Sequence, residues 1–327
     1  MLKELSVGLV AYSMSAVAAA QPPQQWEPGF SGEVSILAGF THKHSQFNTD
    51  NKSTSTLDQS GGSQGKYLMA PMGLVRYTFA DQDRQLFFGS SRSDLALGNF
   101  YIEAGYRQSF QQNGTMSFSI IPGVISTKTW ADPFITGEDR EETRQKRQAV
   151  RFQYKNIMGS DFSIELAAGK TKVDEEKSGQ RNYTDAQQEL LKREGNIFLA
   201  KGSHRYKLSR NLFLRSALIY MKDKADGDAM ASNAYGIEGG IVSMQADSTL
   251  ALTLSYKQAR FDETNPVFGE KQKDHRYSAF LAYSYDEPFS LKDWDFIALT
   301  GYNYTHSNID FYEEKSLLLM AGLSYKF

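Results

Sequence analysis

Basic side chains occupy alternate positions in several runs of this sequence, and their chemistry is the attraction of anions. A period of two places side chains on one face of a β-strand. Nine basic and four acidic residues fall on the face opposite the apolar one. The bases are Arg76, Arg107, Arg151, Lys155, Lys201, Arg205, Lys207, Arg215 and Lys257, and the acids are Glu33, Glu103, Glu165 and Glu238. The excess of bases predicts a surface that concentrates anions and steers them.

Charge neutralisation is the alternative interpretation of the same residues. Arg107 lies four residues after Glu103 on the same face, so the two charges cancel in part. Charged side chains on such a face also serve simply to hydrate it. The sequence therefore predicts an anion preference, and the identity of the solute stays open.

The five histidines offer a second kind of chemistry, catalysis or metal binding. His42 and His44 share a face at strand spacing, but no third ligand is evident nearby. His306 and Ser307 are adjacent, and adjacent residues of a strand point to opposite faces, which prevents a nucleophile–base contact. We predict no enzyme activity, no metal site and no cofactor.

The elements that must position the basic residues are β-strands. Apolar residues alternate with small or polar ones in 250–257, 277–285, 150–155 and 162–169. Short connections, one of which contains Asn113-Gly114, separate some of the runs. Longer polar stretches separate the others, at 48–66, 128–147, 173–194, 222–232, 262–274 and 307–315. Thr184 and Gln187 have the spacing of a helix capping box and predict a short helix in one of these stretches.

Short turns at one end and long loops at the other are typical of a transmembrane β-barrel. We count about fourteen strands in an antiparallel up-and-down order. Twelve is the alternative, because the runs 67–79 and 86–90 are weak and Pro71 interrupts the first of them. A barrel of this size lies between small, side-chain-filled barrels and wide porins.

Both ends of the chain indicate export. Residues 1–20 contain Lys3, an apolar stretch and the small residues Ala18-Ala19-Ala20, which is the pattern of a cleaved signal peptide. Residues 21–327 then form a single barrel domain. The last strand has a wholly apolar face that ends on Tyr325 and Phe327.

The composition fits this class of protein. Mean hydropathy is -0.48, although 13% of the residues are aromatic. A polar average with many aromatic residues is expected when lipid-facing and water-facing residues alternate. The formal net charge of -2 argues against a nucleic-acid partner.

The terminal Phe327, the signal peptide and the succession of hairpins resemble Gram-negative outer-membrane β-barrels. The segment 26–34 is similar to an uncharacterised outer-membrane family. The resemblance implies an outer-membrane location and an assembly signal at Tyr325 and Phe327. It also implies three kinds of partner: the barrel assembly machinery, outer-membrane lipids with lipopolysaccharide, and small hydrophilic solutes.

These observations predict a porin-like channel for passive diffusion of small hydrophilic, anionic solutes. The predicted pore-lining residues are the nine bases given above together with Glu103, Glu165 and Glu238. The alternative is a closed or loop-plugged barrel with a surface-binding or structural role.

Overall fold

The structure is a computed structural model that describes residues 26–90, 94, 100–124 and 126–327. The predicted signal peptide, residues 1–20, lies outside the described residues. Within the described part of the chain, no helix is long and apolar enough to cross a membrane.

Strands make up most of the chain. They are β1 Gly29–His44, β2 Ser63–Thr78, β3 Arg84–Gly89, β4 Glu103–Ser109, β5 Thr115–Ile121, β6 Thr127–Trp130, β7 Glu142–Lys155, β8 Phe162–Val173, β9 Gly195–Lys207, β10 Leu212–Ala225, β11 Ser232–Met244, β12 Ser248–Asn265, β13 Glu270–Asp286, β14 Trp294–Ser307 and β15 Glu314–Lys326. A short helix, α1, spans Asp185–Leu190, and Thr184 and Gln187 form the predicted capping box at its start.

The strands close into an antiparallel barrel because β1 pairs with β15 as well as with β2. The barrel has fourteen strands and one extra strand. The extra strand arises because β5 and β6 both pair with β7, β5 with its second half and β6 with its first. Both weak strands of the sequence prediction, β2 and β3, are present, so the count of about fourteen is confirmed and the alternative of twelve is wrong.

Short turns at one end of the barrel alternate with the connections of the other end, as predicted, but the connections from β10 to β11, β12 to β13 and β14 to β15 are themselves short. The turn after β4 is a 3₁₀ turn at Gln111–Asn113 that ends on Gly114, whose φ of 98° is open to glycine at little cost. The opposite end carries the connections from β1 to β2, β3 to β4, β5 to β7, β8 to β9, β10 to β11, β12 to β13 and β14 to β15, and β6 lies within the third of these. We call these the outer loops, and their end of the barrel the outer end.

The two faces of the wall differ as a lipid-facing and an inner surface should. Large apolar side chains such as Phe118, Leu218 and Ile237 are more than half exposed on the outward face. Residues between them in sequence are largely buried on the inward face. Aromatic pairs occur at both ends of the outward face, for example Trp294 with Tyr325 and Tyr256 with Tyr277. Their positions match the aromatic girdles of membrane barrels.

The end of the chain completes the seam of the barrel. The backbone N–H of Gly32 donates to the carbonyl of Phe327 at 2.8 Å, and the N–H of Phe327 donates back to Gly32 at 3.1 Å. A side chain at position 32 would collide with the Phe327 ring, since an added Cβ would lie 2.8 Å from its Cζ. Glycine therefore makes room for the terminal aromatic ring.

Deleting Phe327 should lower the amount of assembled barrel several-fold. The deletion removes both hydrogen bonds to Gly32 and the aromatic residue that we predict the assembly machinery reads. Heat-modifiable mobility of the membrane fraction, followed over time after induction, measures this directly. A Phe327→Tyr variant is the control and should assemble normally; full assembly of the deletion variant would contradict the assembly-signal prediction.

Candidate functional site on the inner wall

All of the predicted pore-lining residues occupy inward-facing positions of the barrel wall. Strand alternation places them there because their neighbours in sequence are the exposed apolar residues. Arg76, Arg151 and Glu103 are buried. Whether these side chains line a conducting pore stays a prediction.

Arg151 of β7 is the centre of a buried ion network. Its guanidinium binds Asp94 through two hydrogen bonds of 2.8 and 2.9 Å, and it donates to Glu165 at 2.9 Å. Glu103 lies 3.4 Å away and accepts a further hydrogen bond from Ser119 at 2.6 Å. A planar guanidinium suits this site because it can satisfy several carboxylates at once.

The connection between β3 and β4 supplies contacts to opposite walls of the barrel. Asp94 binds Arg151 on β7, whereas the Phe100 ring packs on Phe280 of β13 with 6.2 Å between centroids. These two strands lie six apart in the fourteen-strand order and are therefore nearly diametrically opposed. The hydroxyl of Ser90 donates to the carbonyl of Tyr101 at 2.9 Å, which holds the two ends of the connection together. Described residues of this connection thus reach both sides of the interior.

A second ion cluster lies on the neighbouring strands. Glu238 of β11 accepts hydrogen bonds from Lys201 at 2.9 Å and from Arg215 at 2.6 Å. One carboxylate therefore serves two cations, and the cluster carries net positive charge. Arg76 faces Glu33 at 3.9 Å across β1 and β2.

Other predicted bases have different surroundings. Arg107 stacks on the Phe87 ring at 5.0 Å, and Arg205 pairs with Asp161 of a turn at 2.8 Å. Lys207 follows Arg205 on the same inward register of β9. Lys155 forms no ion pair with any described residue. The same is true of Lys257, which lies directly opposite Arg276 on β13.

The inner wall also carries a cluster of buried apolar residues, which the sequence pattern was not used to predict. Buried apolar residues from β1 and from β10 to β15 form one cluster there. Its members are Leu37, Phe213, Val242, Met244, Ala251, Phe280, Ala282, Ile297, Leu299 and Met320. The sequence did offer a signal, since Phe213 and Phe280 lie on the registers opposite the outward apolar residues. The interior therefore carries a buried apolar cluster beside its charged groups, and β10 and β11 contribute to both.

The outer loops share an apolar core of their own. Its buried members are Phe134, Leu191, Ile309, Phe311 and Tyr312, and the residues packed against them include Phe47, Leu57, Met230, Val267 and Phe268. These residues come from six separate loops, so the loops pack together as one unit. We call this unit the loop cap.

Trp130 and Arg140 fasten two parts of the loop cap. Trp130 is fully buried, and its indole N–H donates to the carbonyl of Gln46 at 2.8 Å. Arg140 stacks on the Trp130 ring at 4.5 Å and donates to the carbonyls of Gln46 and Asn51 at 3.0 and 2.8 Å. Burial without a paired carboxylate lowers the pKa of Arg140 to about 10. Carbonyl oxygens and an aromatic face thus hold this cation.

Three of the histidines have hydroxyl or carboxylate neighbours, and two of them, His275 and His306, are directly opposite each other on β13 and β14. His44 hydrogen-bonds Ser63 at 3.0 Å and Ser60 at 2.9 Å, whereas His275 contacts the Tyr256 hydroxyl at 2.7 Å. His306 faces Glu313 at 3.4 Å. Among the described residues, no group of three or more His, Cys, Asp or Glu side chains could hold a metal ion.

Comparison with known proteins gives a family and a set of similar barrels. Residues 29–326 match the model of a family described as "Protein of unknown function (DUF2860)". No curated protein matches the sequence. Solved structures that match over most of their length are outer-membrane proteins, at low identity and low TM-score.

Three of these structures illustrate the range. The outer membrane channel DcaP of Acinetobacter baumannii has 11% identity and a TM-score of 0.42, covering 94% of this chain and 100% of that one. A loop L8 deletion mutant of OmpT from Vibrio cholerae has 10% identity and a TM-score of 0.42, covering 91% and 99%. The anion-selective porin from Comamonas acidovorans has 8% identity and a TM-score of 0.41, covering 91% and 100%.

Proposed function

The chain belongs to the DUF2860 family, and we propose that it is a porin-like channel of the bacterial outer membrane. It passes small hydrophilic solutes by passive diffusion, prefers anions, and catalyses no reaction. The closed antiparallel barrel with an apolar outward face supports the membrane location.

The anion preference is supported by the charges that the inner wall leaves unbalanced. Lys155 and Lys257 form no ion pair with described residues, and Glu238 is shared between two cations. In a narrow interior of low dielectric constant, unbalanced charge of one sign attracts counter-ions strongly. The Arg151 network, by contrast, brings three carboxylates to one guanidinium and carries net negative charge, which offsets part of this excess.

Single-channel recording tests this proposal. We expect discrete conductance steps from the refolded protein in a planar bilayer, with a reversal potential towards chloride across a salt gradient. Replacing Lys155 and Lys257 with glutamine should reduce the chloride preference several-fold, because both charges face the interior. Lys170→Gln with Lys224→Gln removes the same charge from the outward face and should leave the reversal potential unchanged. A wild-type channel that prefers potassium would contradict the anion preference.

A closed barrel is the second candidate, and the loop cap favours it. Six loops share an apolar core on the side where a pore would open. If the folded protein is silent in the bilayer, the outer loops become the functional surface, with a surface-binding or structural role.

A further inference from the structure

Three cations and one asparagine form a row on the outward face near the outer end of the barrel. Lys222 of β10 lies directly opposite Asn233 of β11, which lies opposite Arg260 of β12, which in turn lies opposite Lys273 of β13. Strand alternation turns all four side chains away from the interior, because they share the register of the exposed Leu218, Tyr235 and Tyr277.

Aromatic side chains lie next to this row on the membrane side. Tyr220 is directly opposite Tyr235, with ring centroids 5.1 Å apart, and Tyr256 is directly opposite Tyr277 at 5.2 Å. Tyrosine belts mark the boundary between hydrocarbon and headgroups. Towards the outer end of the barrel, Lys222 is two residues beyond Tyr220, about 7 Å along the strand, whereas Arg260 and Lys273 are four residues beyond Tyr256 and Tyr277, about 13 Å. The cationic row therefore lies beyond the tyrosines, on the side of the lipid headgroups.

The row is positively charged and is not neutralised by the protein. Lys222, Arg260 and Lys273 form no ion pair with any described residue. The nearby carboxylate of Asp262 is hydrogen-bonded to the Asn233 amide at 3.0 Å. Arg260 and Lys273 are directly opposite each other and repel, and Lys222 lies beyond Asn233 in the same row, so the row attracts an external anion.

A second row continues the same surface on the neighbouring strands. Lys170 of β8 lies opposite Asn196 of β9, which lies opposite Lys224 of β10. Lys172 is directly opposite Lys146, which is itself paired with Asp174 at 3.0 Å. Cations thus occur on five of the seven strands from β7 to β13 on the outward face. Phosphate groups are the anions that occur at this depth in a membrane.

We propose that this outward belt of Lys and Arg side chains binds the phosphate groups of the phosphorylated glycolipid that forms the outer leaflet. The inference rests on the outer-membrane location in the proposed function, but it does not require that the barrel conducts. Each Lys or Arg near an anionic lipid surface is worth about fivefold in binding. The belt would anchor the barrel at a fixed depth and order the surrounding lipid.

Binding of bis-phosphorylated lipid A to the purified full chain, measured by native mass spectrometry in detergent, tests the inference. Arg260→Gln with Lys273→Gln should raise the dissociation constant roughly 25-fold, as two such charges are lost. The control is Arg210→Gln with Lys292→Gln, one arginine and one lysine in exposed turns at the opposite end of the barrel. This control should bind as the wild type does.

Three results would overturn the inference. They are equal weakening in the two double variants, equal binding of dephosphorylated lipid A, and displacement of the lipid by an equal concentration of inorganic phosphate. Equal weakening would mean that the loss of binding does not come from the belt. Equal binding of the dephosphorylated lipid would mean that the phosphate groups are not recognised. Displacement by inorganic phosphate would indicate a site for free anions. Conductance of the same samples separates lipid binding from the channel function. A barrel that does not conduct but binds lipid A in a phosphate-dependent way would support the lipid-binding inference and contradict the channel proposal.

Discussion

Replacing Arg151 with glutamine should lower the free energy of unfolding of the barrel by about 3–5 kcal/mol, the cost of breaking a buried ion pair from one side. The side chain is 3% exposed and holds Asp94, Glu103 and Glu165. Without the guanidinium these three carboxylates repel one another in a site that water enters poorly. Denaturant unfolding in detergent, followed by tryptophan fluorescence, measures the change.

Arg215→Gln is the matched control for this experiment. Its partner Glu238 retains a second cation, Lys201 at 2.9 Å, and Arg215 is 28% exposed. We therefore expect a much smaller loss of stability. A variant that combines Arg151→Gln with Asp94→Asn and Glu103→Gln should recover part of the loss, because neutral amides do not repel. Equal losses in the free energy of unfolding for Arg151→Gln and Arg215→Gln would show that the buried network stabilises the barrel no more than a partly exposed ion pair does.

Replacing Trp130 with alanine should loosen the loop cap while the barrel stays folded. The substitution leaves a cavity in a fully buried site, which costs about 3–5 kcal/mol for a large aromatic residue. It also removes the ring beneath Arg140 and the hydrogen bond to Gln46. We expect trypsin to cleave the outer loops at least tenfold faster, with the heat-modifiable mobility of the barrel unchanged. If the loop cap covers the mouth, the conductance also rises.

Trp130→Phe separates packing from hydrogen bonding in the same site. Phenylalanine keeps an aromatic face for Arg140 but loses the indole N–H, worth about 1 kcal/mol, together with part of the ring volume. Its trypsin sensitivity should therefore rise much less than that of Trp130→Ala. Unchanged cleavage in Trp130→Ala would mean that the loops keep their structure without this residue.

The barrel could be predicted from the sequence because the alternation of residue types along each strand defines its two faces locally. Residues 250–257 and 277–285 alternate with a period of two, and the membrane on one side makes each register error costly. Even the interrupted run around Pro71 is a strand. Its partner Ile36 on β1 and the continuous pairing of β1 with β2 carry it through the interruption.

The extent of the strands at the outer end was harder to predict. The polar stretches 222–232 and 262–274 were expected to be loops, but β10 continues to Ala225 and β12 to Asn265. Polar residues pair well in a sheet once the wall has left the lipid, because both faces are then hydrated. Polarity alone therefore marks the end of the membrane and not the end of the strand.

The contacts inside and above the barrel have no local pattern at all. Asp94 and Arg151 are 57 residues apart, and Trp130 and Gln46 are 84 apart. Such pairs are formed by closure of the barrel, which brings distant loops to one place. Only single residues gave a clue, such as an acid in a short connection or an isolated tryptophan beside a polar stretch.

The shared core of the loop cap also determines which surface of the outer loops an antibody can bind. The core residues come from loops that span the chain from Phe47 to Tyr312, and each loop packs against the others. No loop therefore keeps its native conformation alone. An antibody raised against intact cells should bind a discontinuous epitope and lose it on denaturation. A peptide copied from one loop would be a poor immunogen, because the neighbours that shape it are missing.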